Sequence, residues 1–415
     1  MKKKTPKIFI GNTDVASVIS ELKIVFKEDF GIDTLTLQDE RQNNFDKGEV
    51  DVALNEIKDW IPYFKPRRIS SRIKPRWEKF ITEYYFKKAL KECDVFIYIW
   101  KSFYPDYSDF ERIKAAGKKL VVVFCGNDIR WFFSQKQEFN SYGLRHLEFE
   151  QYDYSTKGLR SKLDYLRKAE KYADMIFSRT DQAQLALRPY FRWHMMVDTN
   201  KIVENSVQRA LRPKVAHAPS NRLVKGTKYV LEAFEKLKNE GIEFEPALIE
   251  GVKNAEAIKL YQDADILIDQ LICPGSGKLA TEALASGTIV MGHMAYGIYP
   301  QNNPSDYPIV DVNPDTIYLK LKELILDYPQ RVKLAKQGRI FVDMVLDYRH
   351  FCNKIIKYFN GENVEYDYIP TFFRDKFTPE SDNALVMYNE YNRLVENCDW
   401  YKKNIQKGTR EGLVF

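Results

Sequence analysis

The sequence predicts an α/β protein of two Rossmann-like domains that face a cleft, followed by a helical C-terminal appendage. One local pattern supports this fold class in three places: a helical segment ends, a small residue and an aspartate follow, and an apolar strand begins. The three instances begin at Cys93-Asp94, Ala173-Asp174 and Ala264-Asp265. A helix that returns directly into a buried strand is what a parallel sheet covered by helices requires.

Other apolar segments extend the same scheme into both halves of the chain. We expect additional strands at 7–10, 34–37, 120–124, 215–218, 246–249, 288–291 and 308–312. A polar stretch at 198–211 separates the halves, and an aromatic segment of mixed charge begins near Asn360, with a helix predicted over 383–397. We therefore predict an acceptor-side domain at 1–198, a donor domain at 199–345, and C-terminal helices at 346–415 that pack back on the body.

The composition is ordinary for a globular protein of this length. Of the 415 residues, 44% are hydrophobic and 29% are charged, and the net charge of +6 suits anionic ligands without demanding nucleic acid. The five cysteines have no CxxC spacing, which indicates reduced thiols in a cytoplasmic protein. The five histidines form no close pair, so we expect no metal site.

The segment from His217 to Thr227 has the pattern of a phosphate-binding corner. It reads as a strand, a short loop with Arg222 and Lys225, and then an amphipathic helix that begins near Gly226-Thr227. The first amides of a helix are unpaired and carry partial positive charge, so two cations beside them favour a phosphate. A solvated basic loop with an ordinary helix cap is the alternative.

A second candidate follows the strand at 266–269. The loop Gly275-Ser276-Gly277 opens a helix that ends at Gly287, and its amides again favour an anion. Glu282 lies about one turn into that helix among apolar neighbours. There its carboxylate can accept hydrogen bonds from a sugar diol.

In the first half, two loops follow predicted strands. The first strand ends at Gly11-Asn12, and because no GxGxxG is present, a dinucleotide cofactor is not expected there. Gly11 either lets a ligand approach the backbone or makes a plain tight turn. The strand at 120–124 leads into Asn127, Asp128 and Arg130. Asp128 can accept a proton or a hydroxyl hydrogen bond, and Arg130 either holds an anion or pairs with Asp128.

The basic stretch at 65–80 has two interpretations. It carries seven cations and one acid over 65–79, with Trp77 and Phe80 close by. It is either a solvated loop or a contact with an anionic membrane surface, where each cation contributes about 1 kcal/mol. Nucleic acid is a weaker choice, because no nucleic-acid motif surrounds the stretch.

Taken together, these segments resemble the donor half of glycosyltransferase family four. The similarity rests on the order of the phosphate corner, the strand at 264–270, the Gly-x-Gly loop and the helix segment 282–288, and it covers roughly residues 215–345. The segment 117–130 resembles a loop of some polysaccharide-building members. The resemblance implies the GT-B fold and a retaining transfer from a nucleotide-diphosphate sugar to a glycan or lipid-linked acceptor. It implies no metal and no other cofactor, and a site at the inner membrane face.

The resemblance also assigns residues. Lys225 matches the lysine that contacts the donor diphosphate, and Arg222 matches its arginine partner. Glu282 matches the second glutamate of a paired-glutamate motif, which holds the nucleotide ribose. Pro274 stands where the first glutamate is expected, so backbone amides of the 275–277 loop take over the contact with the transferred sugar. This departure keeps two alternatives open: a nucleotide-sugar epimerase of the same fold, and a degenerate, non-catalytic transferase subunit that binds nucleotide.

Overall fold

A computed structural model describes residues 6–42, 48–59, 67–141, 154–204, 209–252, 254–296, 307–368, 370, 381–398 and 402. The chain divides into two compact units, one formed by Met1–Trp193 with Glu365–Phe415 and the other by His194–Val364. Each unit is built around one parallel sheet.

The first unit contains an eight-stranded sheet in which every pairing of named strands is parallel. Its strands are β1 (Ile8–Val15), β2 (Thr34–Gln38), β3 (Glu40–Gln42), β4 (Val52–Ala53), β5 (Val95–Ile99), β6 (Lys119–Val123), β7 (Met175–Ser178) and β8 (Phe191–Arg192). The order is β4-β2-β1-β5-β6-β7-β8, and β3 pairs with β1. Every residue of β5 is buried, because helices cover a central parallel strand on both faces.

The helices of this unit in its first 193 residues are α1 (Val18–Glu28), α2 (Leu54–Asp59), α3 (Arg67–Glu92), α4 (Ser108–Ala115), α5 (Phe132–Ser141) and α6 (Thr156–Tyr172). In α6 the buried residues Leu159, Leu163 and Leu166 recur at three- and four-residue spacing, which places one apolar stripe on the sheet. Ser155 caps α6, its side chain accepting from the Gly158 amide at 3.2 Å.

The second unit has a five-stranded parallel sheet of order β10-β9-β11-β12-β13. The strands are β9 (Lys214–His217), β10 (Glu245–Leu248), β11 (Ile266–Ile268), β12 (Ile289–Gly292) and β13 (Ile309–Asp311). The helices are α7 (Arg222–Lys225), α8 (Thr227–Asn239), α9 (Asn254–Gln262), α10 (Lys278–Ala285), α11 (Ile317–Leu326), α12 (Tyr328–Phe341) and α13 (Tyr348–Phe359), with a π-helical turn at Val342–Leu346.

The repeated aspartate of the sequence pattern has one structural role in all three places. The carboxylates of Asp94, Asp174 and Asp265 accept from the backbone amides of Lys7, Leu120 and Lys214, at 3.2, 2.8 and 2.7 Å. In each case the aspartate's own amide donates back to the carbonyl of the same residue. The aspartate therefore joins the start of its own strand to the neighbouring strand, and this role explains why the same residue precedes all three strands.

The predicted fold class, α/β with two parallel-sheet units and a helical C-terminal region, is confirmed. The C-terminal segment 346–415 is divided between the units, since α13 lies in the second and the last long helix, α14 (Asp382–Glu396), lies in the first. Helix α14 packs on α6, where Arg167 Nε donates to Asn392 Oδ1 at 2.7 Å. Among the described residues, no helix is both long and apolar enough to cross a bilayer.

Candidate functional site

The corner after β9 differs from the predicted loop in one respect: its basic residues form a helical turn of their own. Asn221 caps this turn, its side-chain oxygen accepting from the amides of Leu223 and Val224 at 3.0 and 3.2 Å. Gly226, with φ of +72°, ends α7 and precedes α8. A Cβ at Gly226 would lie 3.0 Å from Leu271 Cβ, so glycine is also needed for packing against the segment after β11.

Thr227 holds the corner to the sheet. His217 Nδ1 lies 2.8 Å from the Ile268 carbonyl oxygen, and its Nε2 lies 2.9 Å from Thr227 Oγ1. Burial lowers the pKa of His217. A neutral ring that donates from Nδ1 must accept at Nε2, so the Thr227 hydroxyl donates to it. The predicted donor contact of Thr227 stays a prediction, and in this structure its hydroxyl is engaged within the protein.

Lys225 and the glycine loop meet at Asp269, a residue that the sequence reasoning placed only at the end of a strand. The Lys225 ammonium donates to Asp269 Oδ1, and Asp269 Oδ2 accepts from the Gly277 amide at 3.4 Å. Only 12% of the Lys225 side chain is exposed, and Asp269 is buried. The Leu271 amide also donates to the Lys225 carbonyl at 3.2 Å. Two segments more than 40 residues apart therefore form one site.

Arg222 points to the surface of the same corner. Its side chain is 58% exposed, and its Nε donates to Glu250 Oε1 at 2.8 Å. This pairing raises the pKa of Arg222 and lowers the pKa of Glu250. Exposed ion pairs contribute little to stability, so Arg222 can exchange this partner for another anion at low cost.

The Gly275-Ser276-Gly277 loop is more internally bonded than the sequence suggests. The Gly275 amide donates to the His293 carbonyl at 2.6 Å, and Ser276 Oγ lies 2.9 Å from Tyr307 Oη. The backbone amides of Gly275 and Gly277 already donate hydrogen bonds to groups of the protein. They can donate to a ligand only if they give up those hydrogen bonds. Their assignment to the donor stays a prediction.

Glu282 lies on α10 and is half-buried. The Tyr261 hydroxyl donates to its Oε2 at 2.5 Å. Burial and this carboxylate both raise the pKa of Tyr261, so the tyrosine stays a donor. The contact fixes the position of the Glu282 carboxylate, as a residue that binds a diol requires.

In the first unit, Gly11 and Asn12 lie within β1. A Cβ at Gly11 would lie 2.9 Å from both the Leu37 carbonyl oxygen and the Phe9 ring, so packing alone requires a glycine there. Asn12 is buried, and neither the oxygen nor the nitrogen of its side-chain amide has a hydrogen-bond partner among the described residues. Buried amides without partners are rare, which makes Asn12 the stronger candidate of the two for a ligand contact.

The loop after β6 is organised by Asp128. Its carboxylate oxygens accept from the amides of Cys125 and Gly126 at 3.0 and 2.7 Å. Arg130 does not pair with Asp128: it donates to Asp181 Oδ2 and to Asn127 Oδ1, both at 3.3 Å. Burial raises the pKa of Asp128 to about 6, and the two amide bonds act in the opposite direction.

This pKa leads to a pH-dependent stability. The ordinary pKa of an aspartate is 3.8, so between about pH 4 and pH 6 the folded state keeps a proton that the unfolded state has released. The stabilising contribution is present at low pH and is lost as the pH rises through 6. We expect the urea-unfolding midpoint to fall less between pH 5 and pH 8 in Asp128→Asn than in the unsubstituted protein. Equal falls would contradict this assignment.

No group of three or more His, Cys, Asp or Glu side chains that could hold a metal ion occurs among the described residues. Lys225, beside Asp269, and Arg222, beside Glu250, are cations suited to an anionic ligand.

No protein-family model matches the chain, and no curated protein matches it either. Solved structures do. A sucrose-phosphate synthase from Thermosynechococcus elongatus is 12% identical, with a TM-score of 0.55 over 86% of this chain and 98% of that one. A glycosyltransferase from Rickettsia africae is 13% identical, with a TM-score of 0.52 over 86% and 98%. HepE of Anabaena, solved in complex with UDP-glucose, is 12% identical, with a TM-score of 0.51 over 86% and 99%. At these identities the likeness shows the fold, which is that of GT-B glycosyltransferases.

Proposed function

We propose that this protein is a glycosyltransferase that moves a sugar from a nucleotide-diphosphate sugar to a glycan or lipid-linked acceptor. The observation that carries the proposal is the Asp269 carboxylate, which joins the Lys225 ammonium to the amide of Gly277. Each of these segments was assigned to the donor from sequence alone, and one carboxylate brings them together. The fold shared with known glycosyltransferases supports the same function.

The donor diphosphate would bind at Lys225 and Arg222. An ammonium has three N–H donors, and Lys225 uses one on Asp269 and a second, at 3.5 Å, on Gln270 Oε1. The third is left for a phosphate oxygen, and the Asp269 contact holds it in place before the ligand arrives. As the nucleoside diphosphate leaves, positive charge fixed in this way stabilises the developing anion.

The nucleotide ribose would bind at Glu282. Its carboxylate is held by Tyr261 and is suited to two adjacent hydroxyls. With Pro274 in place of a second carboxylate, Ser276 and its loop face the transferred sugar in this proposal. Asp128, Asn127, Arg130, Gly11 and Asn12 remain acceptor-side candidates of the first unit. We expect retention of configuration and no metal requirement, as in the family that the sequence resembles.

A thermal-shift screen against UDP, GDP, dTDP and their sugars tests the donor site. Stabilisation by one nucleotide and its sugars is the expected result, and no stabilisation by any of them would contradict the proposal. Two incubations of the preferred donor then separate the alternatives. Without an acceptor, epimerised donor would identify an epimerase. With a series of acceptors, a donor that stays unchanged in every case would identify a non-catalytic subunit.

We also propose that α3 contacts an anionic membrane surface. Ile73, Trp77, Phe80 and Tyr84 follow one another on a single helix stripe, and Phe80 is 62% exposed. Trp77 is half-buried, stacks on Phe80 at 6.1 Å, and donates to the Ile57 carbonyl. The exposed cations Arg76 and Lys79 flank the stripe. Aromatic side chains beside cations are typical of helices that lie in a bilayer interface. Residues 65–66 and the side chains of 67–72 lie outside the described part of the chain.

We expect Phe80→Ser to lower co-sedimentation with phosphatidylglycerol-containing vesicles about tenfold, because the variant loses most of the gain from burying one aromatic ring. Leu319→Ser, on an exposed position of α11 in the other unit, is the matched control. Binding of the parent protein to pure phosphatidylcholine vesicles should be weaker. If the parent protein does not co-sediment with anionic vesicles, or if both variants co-sediment to the same extent as the parent protein, α3 is a solvated helix.

A further inference from the structure

A second cationic cluster lies at the carboxyl ends of β6 and β7, which are adjacent in the sheet of the first unit. Asp181 is buried there between two arginines: Arg179 Nε donates to its Oδ1 at 2.8 Å, and Arg130 Nη2 donates to its Oδ2 at 3.3 Å. The side chains of Arg130 and Arg179 are only 11% and 13% exposed. The carboxyl edge of a parallel sheet is where α/β proteins bind ligands.

The hydrogen bonding of Arg130 is incomplete. Within the described part of the chain, its hydrogen bonds to Asp181 and Asn127 are both long at 3.3 Å, and its Nε is buried without a partner. Arg167, a buried arginine of the same unit, makes 2.7 Å bonds from all three of its nitrogens. Arg331, a fully buried arginine of the second unit, also has an Nε without a partner among the described residues, but its Nη1 and Nη2 donate to carbonyls at 2.9 and 2.8 Å. Arg130 differs from both arginines in that its two hydrogen bonds are long, so an anionic ligand would improve its hydrogen bonding.

Two guanidinium groups share the single carboxylate of Asp181. The acids nearby are bonded elsewhere: Asp128 accepts from amides of its own loop, and Glu138 accepts from the Gln184 amide. An anionic ligand would therefore give Arg130 a charged acceptor that it does not share with Arg179.

We propose that Arg130 and Arg179 bind a phosphate or carboxylate group of the acceptor, so that the acceptor is an anionic sugar or sugar phosphate. Naming the bound anion as part of the acceptor rests on the proposed transferase function. The binding of the anion itself does not depend on that function. A guanidinium grips either group through two parallel hydrogen bonds, and this geometry sets both its affinity and its orientation.

Calorimetric titration with glucose 6-phosphate, glucuronate and glucose tests the cluster directly and separates phosphate from carboxylate. The titrations use a Lys225→Ala background, which removes one of the two phosphate contacts, Lys225 and Arg222, expected in the second unit. We expect one of the two anionic sugars to bind, and Arg130→Gln to weaken it at least about tenfold, the effect of losing one charged hydrogen bond. Arg160→Gln, on an exposed arginine of α6, changes the net charge equally and should leave binding unchanged.

Arg130→Gln leaves the Arg179–Asp181 pair intact, so the variant is expected to fold; an unchanged thermal midpoint checks this. If it unfolds, Arg179→Gln serves in its place, because Arg130 then remains with Asp181. Arg130→Lys should restore phosphate binding in part, since it keeps the charge but not the fork geometry. The inference is overturned if neither anionic sugar binds, if Arg130→Gln binds the anionic sugar with the same affinity, or if glucose binds as tightly as the anionic sugar. Failure of nucleotide binding with intact anion binding would instead overturn the proposed function.

Discussion

Replacing Lys225 with alanine is expected to slow sugar transfer by at least about a hundredfold, because removal of one preorganised charged contact to a transition state costs about 2.7–4 kcal/mol. The loss should appear mainly in kcat, since negative charge on the diphosphate increases as the bond to the sugar breaks. Steady-state kinetics with the donor identified by thermal shift measures it. This prediction depends on the proposed function and on the ammonium having a hydrogen left for the ligand.

The control for this variant is Lys228→Ala. Lys228 lies three residues further along the chain, in the first turn of α8, is mostly exposed, and pairs with Glu232 in the spacing typical of surface helices. It should keep full activity. Because Lys225→Ala leaves the buried Asp269 without its cation, the double variant Lys225→Met with Asp269→Leu removes both charges and separates loss of fold from loss of catalysis. A folded Lys225→Ala enzyme with unchanged kcat would contradict the assignment of Lys225 to the donor diphosphate.

The fold class was accessible from sequence because its determinants are local. An apolar run of three to six residues preceded by Asp94, Asp174 or Asp265 specifies a buried strand and its junction with the neighbouring strand. Turn positions such as Gly226 and the amphipathic repeat of α8 are local too. The division of the C-terminal segment between the two units could not be predicted in this way, because it is not set by local sequence. Helix α14 joins the first unit through contacts that are distant in sequence, such as that of Asn392 with Arg167, 225 residues away in the chain.

The candidate site was predictable only in its parts. Sequence spacing identified Lys225, the glycine loop and Glu282 separately, but not their partners, because a contact such as Lys225 with Asp269 spans 44 residues and has no periodic signal. The same limit explains Arg130. Its nearest acid in sequence is Asp128, yet that carboxylate is bonded to two amides of its own loop, and Arg130 instead reaches Asp181 in the 3-10 turn after β7. The hydrogen bonds of Asp128 within its own loop therefore make it unavailable as a partner for Arg130.

Arg167→Ala is expected to give the largest loss of stability, about 3–5 kcal/mol in the free energy of unfolding of the first unit. Arg167 and Glu170 are both fully buried, and their side chains are joined at 2.7 Å. Without the arginine, the donors left to the Glu170 carboxylate among the described residues would be the Leu187 amide and the Tyr190 hydroxyl, at 2.7 and 3.0 Å. An ion left buried without its counter-charge destabilises the folded state more than a cavity of the same size does.

Urea unfolding followed by circular dichroism measures this loss, with Arg160→Ala on the exposed side of α6 as the control. A second variant, Asn392→Ala, removes the hydrogen bond between Arg167 and α14, leaves the guanidinium over the Tyr388 ring, and should cost about 1.5–3 kcal/mol, the range for hydrogen bonds to charged groups. Limited proteolysis should then release α14 before the rest of the first unit unfolds. If Arg167→Ala unfolds at the same urea concentration as Arg160→Ala, the buried pair contributes nothing, and α14 is held by its apolar contacts alone.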